Sequence, residues 1–179
     1  MSMRSSIRGF DSHFTALTNQ IFPHESWRSF FGMVTVLGDP ITIIVITIGI
    51  IVAGVYSGST KLIISGVAIP ITVGIGALLK LLVERARPIS EYSAHLGTFS
   101  FPSGHSTGSV VAYGLLAYFA YVKLPGPWGV IAAFFLLTVP IAVGISRIHL
   151  GAHYPSDVLA GWLLGLLGLL IIIIGIRPI

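Results

Sequence analysis

The sequence predicts an all-α fold, a polytopic membrane helix bundle with five spans and an N-terminal interfacial helix. Three observations predict it. Of the 179 residues, 54% are hydrophobic and only 9% charged, whereas a soluble domain carries about 25% charged residues. Apolar runs approaching the roughly 20 residues that cross a hydrocarbon core recur along the chain. Polar residues are gathered into segments between those runs instead of alternating with them. The chain contains no cysteine, which excludes disulfides, thiolate metal sites and cysteine nucleophiles.

The elements follow in order. Residues 1–34 read as an interfacial amphipathic segment, with an ordinary surface helix as the competing reading. Arg4, Arg8, Asp11, His13, Glu25 and Arg28 interrupt it too often for a signal peptide or a spanning helix, while Phe10, Phe14 and Leu17 recur at helical spacing. Pro23 predicts a break, and Phe30 with Phe31 a second apolar face. Residues 35–179 read as one transmembrane domain. Its first span is 40–56, followed by the turn Tyr56-Ser57-Gly58-Ser59 and a second span over 62–82. A polar stretch covers 84–105. The third span, 106–122, closes on Pro125-Gly126-Pro127, and the fourth is 128–145. Residues 146–156 are polar again, and 157–176 form the fifth span. Gly161 with Gly165, and Gly54 with Gly58, are small-xxx-small pairs that read as helix packing.

The net charge of +4 comes from scattered Lys and Arg residues, with no basic stripe of the kind a nucleic-acid partner requires. Two spans separate the polar stretches 84–105 and 146–156, so both open on the same side of the membrane. Together they hold Arg85, Arg87, Glu91, His95, His105, Arg147, His149 and His153, with Lys80 and Asp157 just inside the flanking helices. Ionisable side chains at membrane depth cost several kcal/mol and mark a functional cavity.

That cluster has the composition of an anion site. Lys80 and Arg87 are seven residues apart, so a continuous helix places them on one face about 10 Å apart, with Pro88 ending it. Arg147 adds a third cation, and guanidinium groups match phosphate oxygens with paired donors. Glu84 and Glu91 are too few and too poorly spaced to hold magnesium. In Phe101-Pro102-Ser103-Gly104-His105, which leads into a span, Ser103 and the Gly104 N–H are candidate anion donors at a helix start, against plain N-capping by Ser103. Asp157 follows His153 by four residues. A carboxylate on one imidazole nitrogen leaves the other free to attack, which makes His153 a candidate nucleophile and His105 the acid for the departing oxygen.

Lys80 with Arg87-Pro88 reads K-x6-RP, Pro102 to His105 reads PSGH, and Ser146-Arg147 with His153 and Asp157 reads SR-x5-H-x3-D, all within 78 residues. These motifs resemble, without departure, those of the type 2 phosphatidic acid phosphatase (lipid phosphate phosphatase, PAP2) superfamily, which includes vanadium-dependent haloperoxidases. The resemblance implies a membrane lipid phosphatase working without metal or other cofactor. It puts Lys80, Arg87, Arg147, Ser103 and Gly104 on the phosphate, makes His153 the residue that becomes phosphohistidine, lets Asp157 orient it and makes His105 the acid. It implies a phosphorylated membrane lipid as substrate: phosphatidylglycerol phosphate, phosphatidic acid or undecaprenyl diphosphate. Membrane members usually have six spans, one more than this chain shows.

Three other readings compete. His105, His149 and His153 could be drawn as a zinc site, but a divalent cation among three fixed positive charges is electrostatically awkward. His149 and His95 read instead as packing or solvated residues. A haloperoxidase would hold vanadate in the same pocket, yet those relatives are soluble. A non-enzymatic lipid-binding or transport protein would need the anion pocket without the nucleophile and acid. Lys61, Lys123 and Arg177 fall on the side opposite the cluster, so the positive-inside rule predicts an extracytoplasmic site in the cell membrane.

Overall fold

The computed structural model describes residues 3–176, which form eight helices and no strand. They are α1 (Met3–Ile21), α2 (His24–Val36), α3 (Pro40–Ser57), α4 (Thr60–Val83), α5 (Glu91–Ala94), α6 (Gly104–Lys123), α7 (Pro127–His149) and α8 (Pro155–Ile176). The five predicted spans correspond to α3, α4, α6, α7 and α8. Arg177 lies outside the described residues.

Four stretches are long and apolar enough to cross a membrane: Ser26–Ser57, Thr60–Val83, Pro127–His149 and Pro155–Ile176. The chain is a multi-pass membrane protein. The remaining predicted span, α6, is less apolar for a reason the packing supplies. It lies at the centre, against α3, α4, α7 and α8. Ser106, Thr107 and Ser109 on α6 are buried against those neighbours, where small polar residues allow close approach. The outer helices carry the exposed apolar side chains that lipid solvates, such as Ile41, Leu82, Phe134 and Ile171.

The stretch Ser26–Ser57 has 32 residues and as one straight helix would measure about 48 Å, more than the roughly 30 Å of hydrocarbon. It is broken between α2 and α3 at 37–39. The 18-residue α3 alone reaches about 27 Å and packs on α4, whereas α2 packs on α7. Pro40 starts α3 at its first turn, where a missing N–H is harmless.

The glycine pairs divide. A Cβ on Gly161 would sit 2.6 Å from the Ser103 carbonyl oxygen, and one on Gly165 2.8 Å from that of Thr107; both let α8 lie directly on α6. Gly54 likewise has Ile63 of α4 within 2.8 Å of a would-be Cβ. Gly58 does not pack. It ends α3 in the left-handed conformation at φ 64°, the usual glycine C-cap, and Ser59 then caps α4 by accepting from the Leu62 N–H.

The C-terminal ends of α4 and α7 and the N-terminal ends of α6 and α8 meet at one end of the bundle, where the two polar stretches touch. The Ser103 N–H donates to the Asp157 carbonyl at 3.0 Å, and the Ser90 hydroxyl donates to the Gly151 carbonyl at 3.0 Å.

Candidate active site

His153 sits in the short connection between α7 and α8. The Arg147 carbonyl accepts from the N–H groups of both Ala152 (3.0 Å) and His153 (3.2 Å). Gly151 makes this turn possible with φ 66°, and a Cβ there would also press against Ser90 at 2.8 Å. The His153 side chain is 2% exposed. Its Nε2 lies 3.1 Å from Nη1 of Arg87. A guanidinium only donates, so Nε2 carries the lone pair and the ring proton belongs on Nδ1. Nδ1 is 3.6 Å from Oδ2 of Asp157, too far for a hydrogen bond but close enough for the carboxylate to act on the ring. Burial pushes His153 down from 6.5 to about 4, reinforced by the charges of Arg147, Arg87 and Lys80 and opposed by Asp157. The neutral ring is favoured.

Asp157 is fully buried and held from two sides. Its Oδ2 accepts from the Tyr154 N–H at 2.9 Å, closing the first turn of α8 as one half of a capping box. Its Oδ1 accepts from Nη1 of Arg85 at 2.6 Å.

The three expected cations converge, although not by the route the spacing suggests. Lys80 is in the last turn of α4 and donates from Nζ to the Phe99 carbonyl at 2.9 Å. The helix does not continue to Arg87. Glu84 turns into the left-handed region at φ 48° and ends it, Pro88 disfavours helical backbone at Arg87, and the Ser100 N–H ties the Arg85 carbonyl at 2.8 Å. Arg87 therefore approaches His153 from a loop. It is braced by the carbonyls of Thr98 (2.7 Å) and Ala152 (2.8 Å). Arg147 lies in the last turn of α7 and is 1% exposed. Its Nη1 donates to the Thr35 hydroxyl at 2.8 Å and the Tyr92 hydroxyl at 3.1 Å, while its buried Nε has no acceptor among the described residues.

Ser103 caps α6, its hydroxyl accepting from the Ser106 hydroxyl at 2.9 Å and, more weakly, from the Ser106 N–H at 3.4 Å. Gly104 is the first residue of that helix. His105 follows, its Nε2–H donating to Oδ1 of Asp39 at 2.6 Å. His149 is buried, its ring tilted against that of Phe31 at 4.7 Å between centroids, and His95 is exposed after α5. No group of three His, Asp or Glu side chains able to hold a metal ion occurs among the described residues.

The structure adds residues that the motifs miss: Asp39 on His105, Arg85 on Asp157, Asp11 on Arg85, and Thr35 and Tyr92 on Arg147. A signal existed for Asp39, one of six acidic residues in the chain and placed directly before the proline that opens an apolar span. Arg85, between two motif residues, had the same claim. Nothing in the spacing connects Asp11, Thr35 or Tyr92 to the site.

Residues 61–177 match the PAP2 superfamily. Among curated proteins, the chain is 40% identical over 92 residues to phosphatidylglycerophosphatase B of Bacillus subtilis, covering 50% of this chain and 45% of that protein. It is 38% identical over 98 residues to lipid A 1-phosphatase of Rhizobium etli, covering 49% and 38% respectively. These matches span less than half the length of either relative. The crystal structure of a transmembrane PAP2 type phosphatidylglycerolphosphate phosphatase from Bacillus subtilis superposes with a TM-score of 0.78 at 26% identity, covering 93% of this chain and 84% of that one. With the motif residues gathered at one end of a matching helix bundle, and the family match extending over most of the chain, this protein belongs to the PAP2 superfamily.

Proposed function

We propose that the chain is a metal-independent phosphatase of a membrane lipid phosphomonoester or diphosphate, working through a phosphohistidine on His153. The observation that carries this reading is the convergence of Lys80, Arg87 and Arg147 on a buried neutral histidine whose Nε2 already faces a guanidinium. Phosphate oxygens would replace the lone pair of Nε2 as acceptor for Arg87 and supply one for Nε of Arg147. Ser103 and the Gly104 N–H, at the positive end of α6, complete the donor set.

In the first step Nε2 of His153 forms a bond to phosphorus as the bond to the lipid oxygen breaks. His105, entering the step as imidazolium with its Nε2–H held by Asp39, gives that oxygen its Nδ1 proton. Asp157 stabilises the positive charge that develops on the His153 ring. In the second step water attacks the phosphohistidine, His105 takes up the water's proton, and inorganic phosphate leaves. Asp39 keeps the His105 ring in place for both transfers.

A lipid rather than a soluble substrate is favoured by an open cleft of about 550 Å³ that places apolar Ala77, Leu78, Leu81, Leu96 and Phe99 next to Lys80. The related phosphatases are named for phosphatidylglycerophosphate and lipid A 1-phosphate. The resemblance adds phosphatidic acid and undecaprenyl diphosphate as candidates. Lys61 starts α4 and Lys123 ends α6, each at the opposite end of its helix from the site, which favours an extracytoplasmic active site. The described part of the 1–34 segment would then lie along the same interface, with Ile7, Phe14, Leu17 and Ile21 of α1 exposed for it.

Phosphate release from each of these lipids by the purified protein in EDTA tests the reading. Turnover of at least one, competitive inhibition by vanadate as a mimic of five-coordinate phosphorus, and its disappearance in His153→Ala are the expected results. Activity lost in EDTA and restored by magnesium or zinc, or retained in His153→Ala, would refute it.

A further inference from the structure

We infer that α1 is a working part of the catalytic machinery, with Asp11 a positioning residue that acts on His153 through Arg85 and Asp157; this rests on the proposed roles of His153 and Asp157. Asp11 is a carboxylate only 4% exposed, on a helix whose apolar residues are largely exposed. Burying a carboxylate costs several kcal/mol unless it is paired, so its partners have to be specific. Its Oδ2 accepts from Nη2 of Arg85 at 2.6 Å and from the Ser156 hydroxyl at 3.0 Å, and its Oδ1 accepts from the Ser156 N–H at 2.9 Å.

Arg85 divides its two terminal nitrogens: Nη2 donates to Asp11 at 2.6 Å, and Nη1 donates to Asp157 at 2.6 Å and to the Ser156 hydroxyl at 2.7 Å. Tyr154, next to the nucleophile, covers its guanidinium, with the ring centroid 4.2 Å away. Asp11 thus grips the first turn of α8 at Ser156, and it also prevents Arg85 from closing both nitrogens onto Asp157. A guanidinium freed from Asp11 would take the carboxylate in the bidentate geometry that such pairs prefer. That would draw Oδ2 away from the Nδ1 of His153, already at 3.6 Å. Arg85 falls in the variable part of K-x6-RP and Asp11 outside every motif, so this control is a property of the chain's own residues.

The test uses the full chain in detergent micelles with phosphatidic acid as substrate, comparing Asp11→Asn, Arg85→Gln and the double variant with wild type and His153→Ala. Misplacing a reacting group by about 1 Å costs up to roughly 100-fold in rate. Asp11→Asn is expected to lower kcat about tenfold and Arg85→Gln about 100-fold, both with KM unchanged because Lys80, Arg87 and Arg147 remain. The double variant should be no slower than Arg85→Gln, since Asp11 acts through Arg85. Asp11→Glu keeps the ion pair and should recover kcat to within about threefold of wild type, which also keeps the test open if Asp11→Asn folds poorly. Independent, multiplying losses overturn the inference, as does a raised KM at unchanged kcat or wild-type kcat in Asp11→Asn. Activity persisting in His153→Ala would instead refute the reading of the site beneath it.

Discussion

The site contains two histidine–aspartate pairs, and they are built in opposite ways. His153 and Asp157 are four residues apart, 2% and 0% exposed, and separated by 3.6 Å. His105 and Asp39 are 66 residues apart, 18% and 37% exposed, and in direct contact at 2.6 Å. The first pair is local in sequence and sealed; the second is assembled by tertiary packing and open at its rim. The contrast fits the two proposed tasks. A nucleophile needs a neutral ring in a fixed direction, which burial beside fixed cations provides; the same burial and cations push His105 down to about 2, so its acid form depends on the charge of a phosphate dianion to offset them. An acid that protonates a leaving lipid oxygen and then deprotonates water has to face both, so it belongs where substrate and solvent reach. The α2–α3 turn serves that rim closely: a Cβ on Gly38 would lie 3.3 Å from Cβ of His105.

Replacing the carboxylate of each pair sharpens this contrast, and the sealed pair should show the larger effect. Asp157→Asn removes the charge that stabilises the His153 ring as it gains the phosphoryl group. It is expected to reduce kcat by about 1,000-fold or more with every substrate, read from phosphate release. If Asp157→Asn and Asp39→Asn were equally damaging, the division of labour would collapse.

Asp39→Asn should be milder and selective. General acid catalysis contributes about 100- to 10,000-fold, and loosening the acid forfeits only part of it. An approximately tenfold loss is expected with a lipid leaving group, and almost none with a nitrophenyl phosphate whose leaving group needs no proton. Stopped-flow with both substrates separates the two, and a loss that ignores leaving-group acidity would contradict the role given to His105.

The smallest effect concerns pH. His153 is held down to about 4, and its neutral form is the one that attacks. As pH falls, activity should therefore persist through the usual histidine range near 6.5 and decline only as pH approaches about 4. The measurement is the acidic limb of kcat/KM after division by the substrate's own ionisation. A limb near 6.5 would place His153 in a much wetter setting than the structure does.

Legibility followed sequence distance. The helices expected at the five spans, the turns at Gly58 and Gly126, and the proximity of His153 and Asp157 rest on short-range patterns, and all are present in the structure. The helical extension to Arg87 did not form, because Glu84 leaves the helix and Ser100 captures the strand of loop that follows. Asp39, Arg85 and Asp11 act across 66, 72 and 74 residues, and no local periodicity encodes such pairings. The central position of α6 among four helices, which accounts for its modest apolarity, was not legible in the sequence.

By itself the sequence determined that this chain is a bundle of apolar helices with its ionisable residues collected at one end, since hydrocarbon forces backbone bonds to close within each helix and drives charge out of lipid-facing positions. Its motifs also singled out the residues proposed to compose the anion site. Tertiary structure alone decided how those residues are held: which carboxylate faces which histidine, which arginine touches Nε2, and that α1 reaches the site at all. Those choices depend on helix ends brought together by packing, where a single buried charge requires a partner and takes whichever one the fold presents.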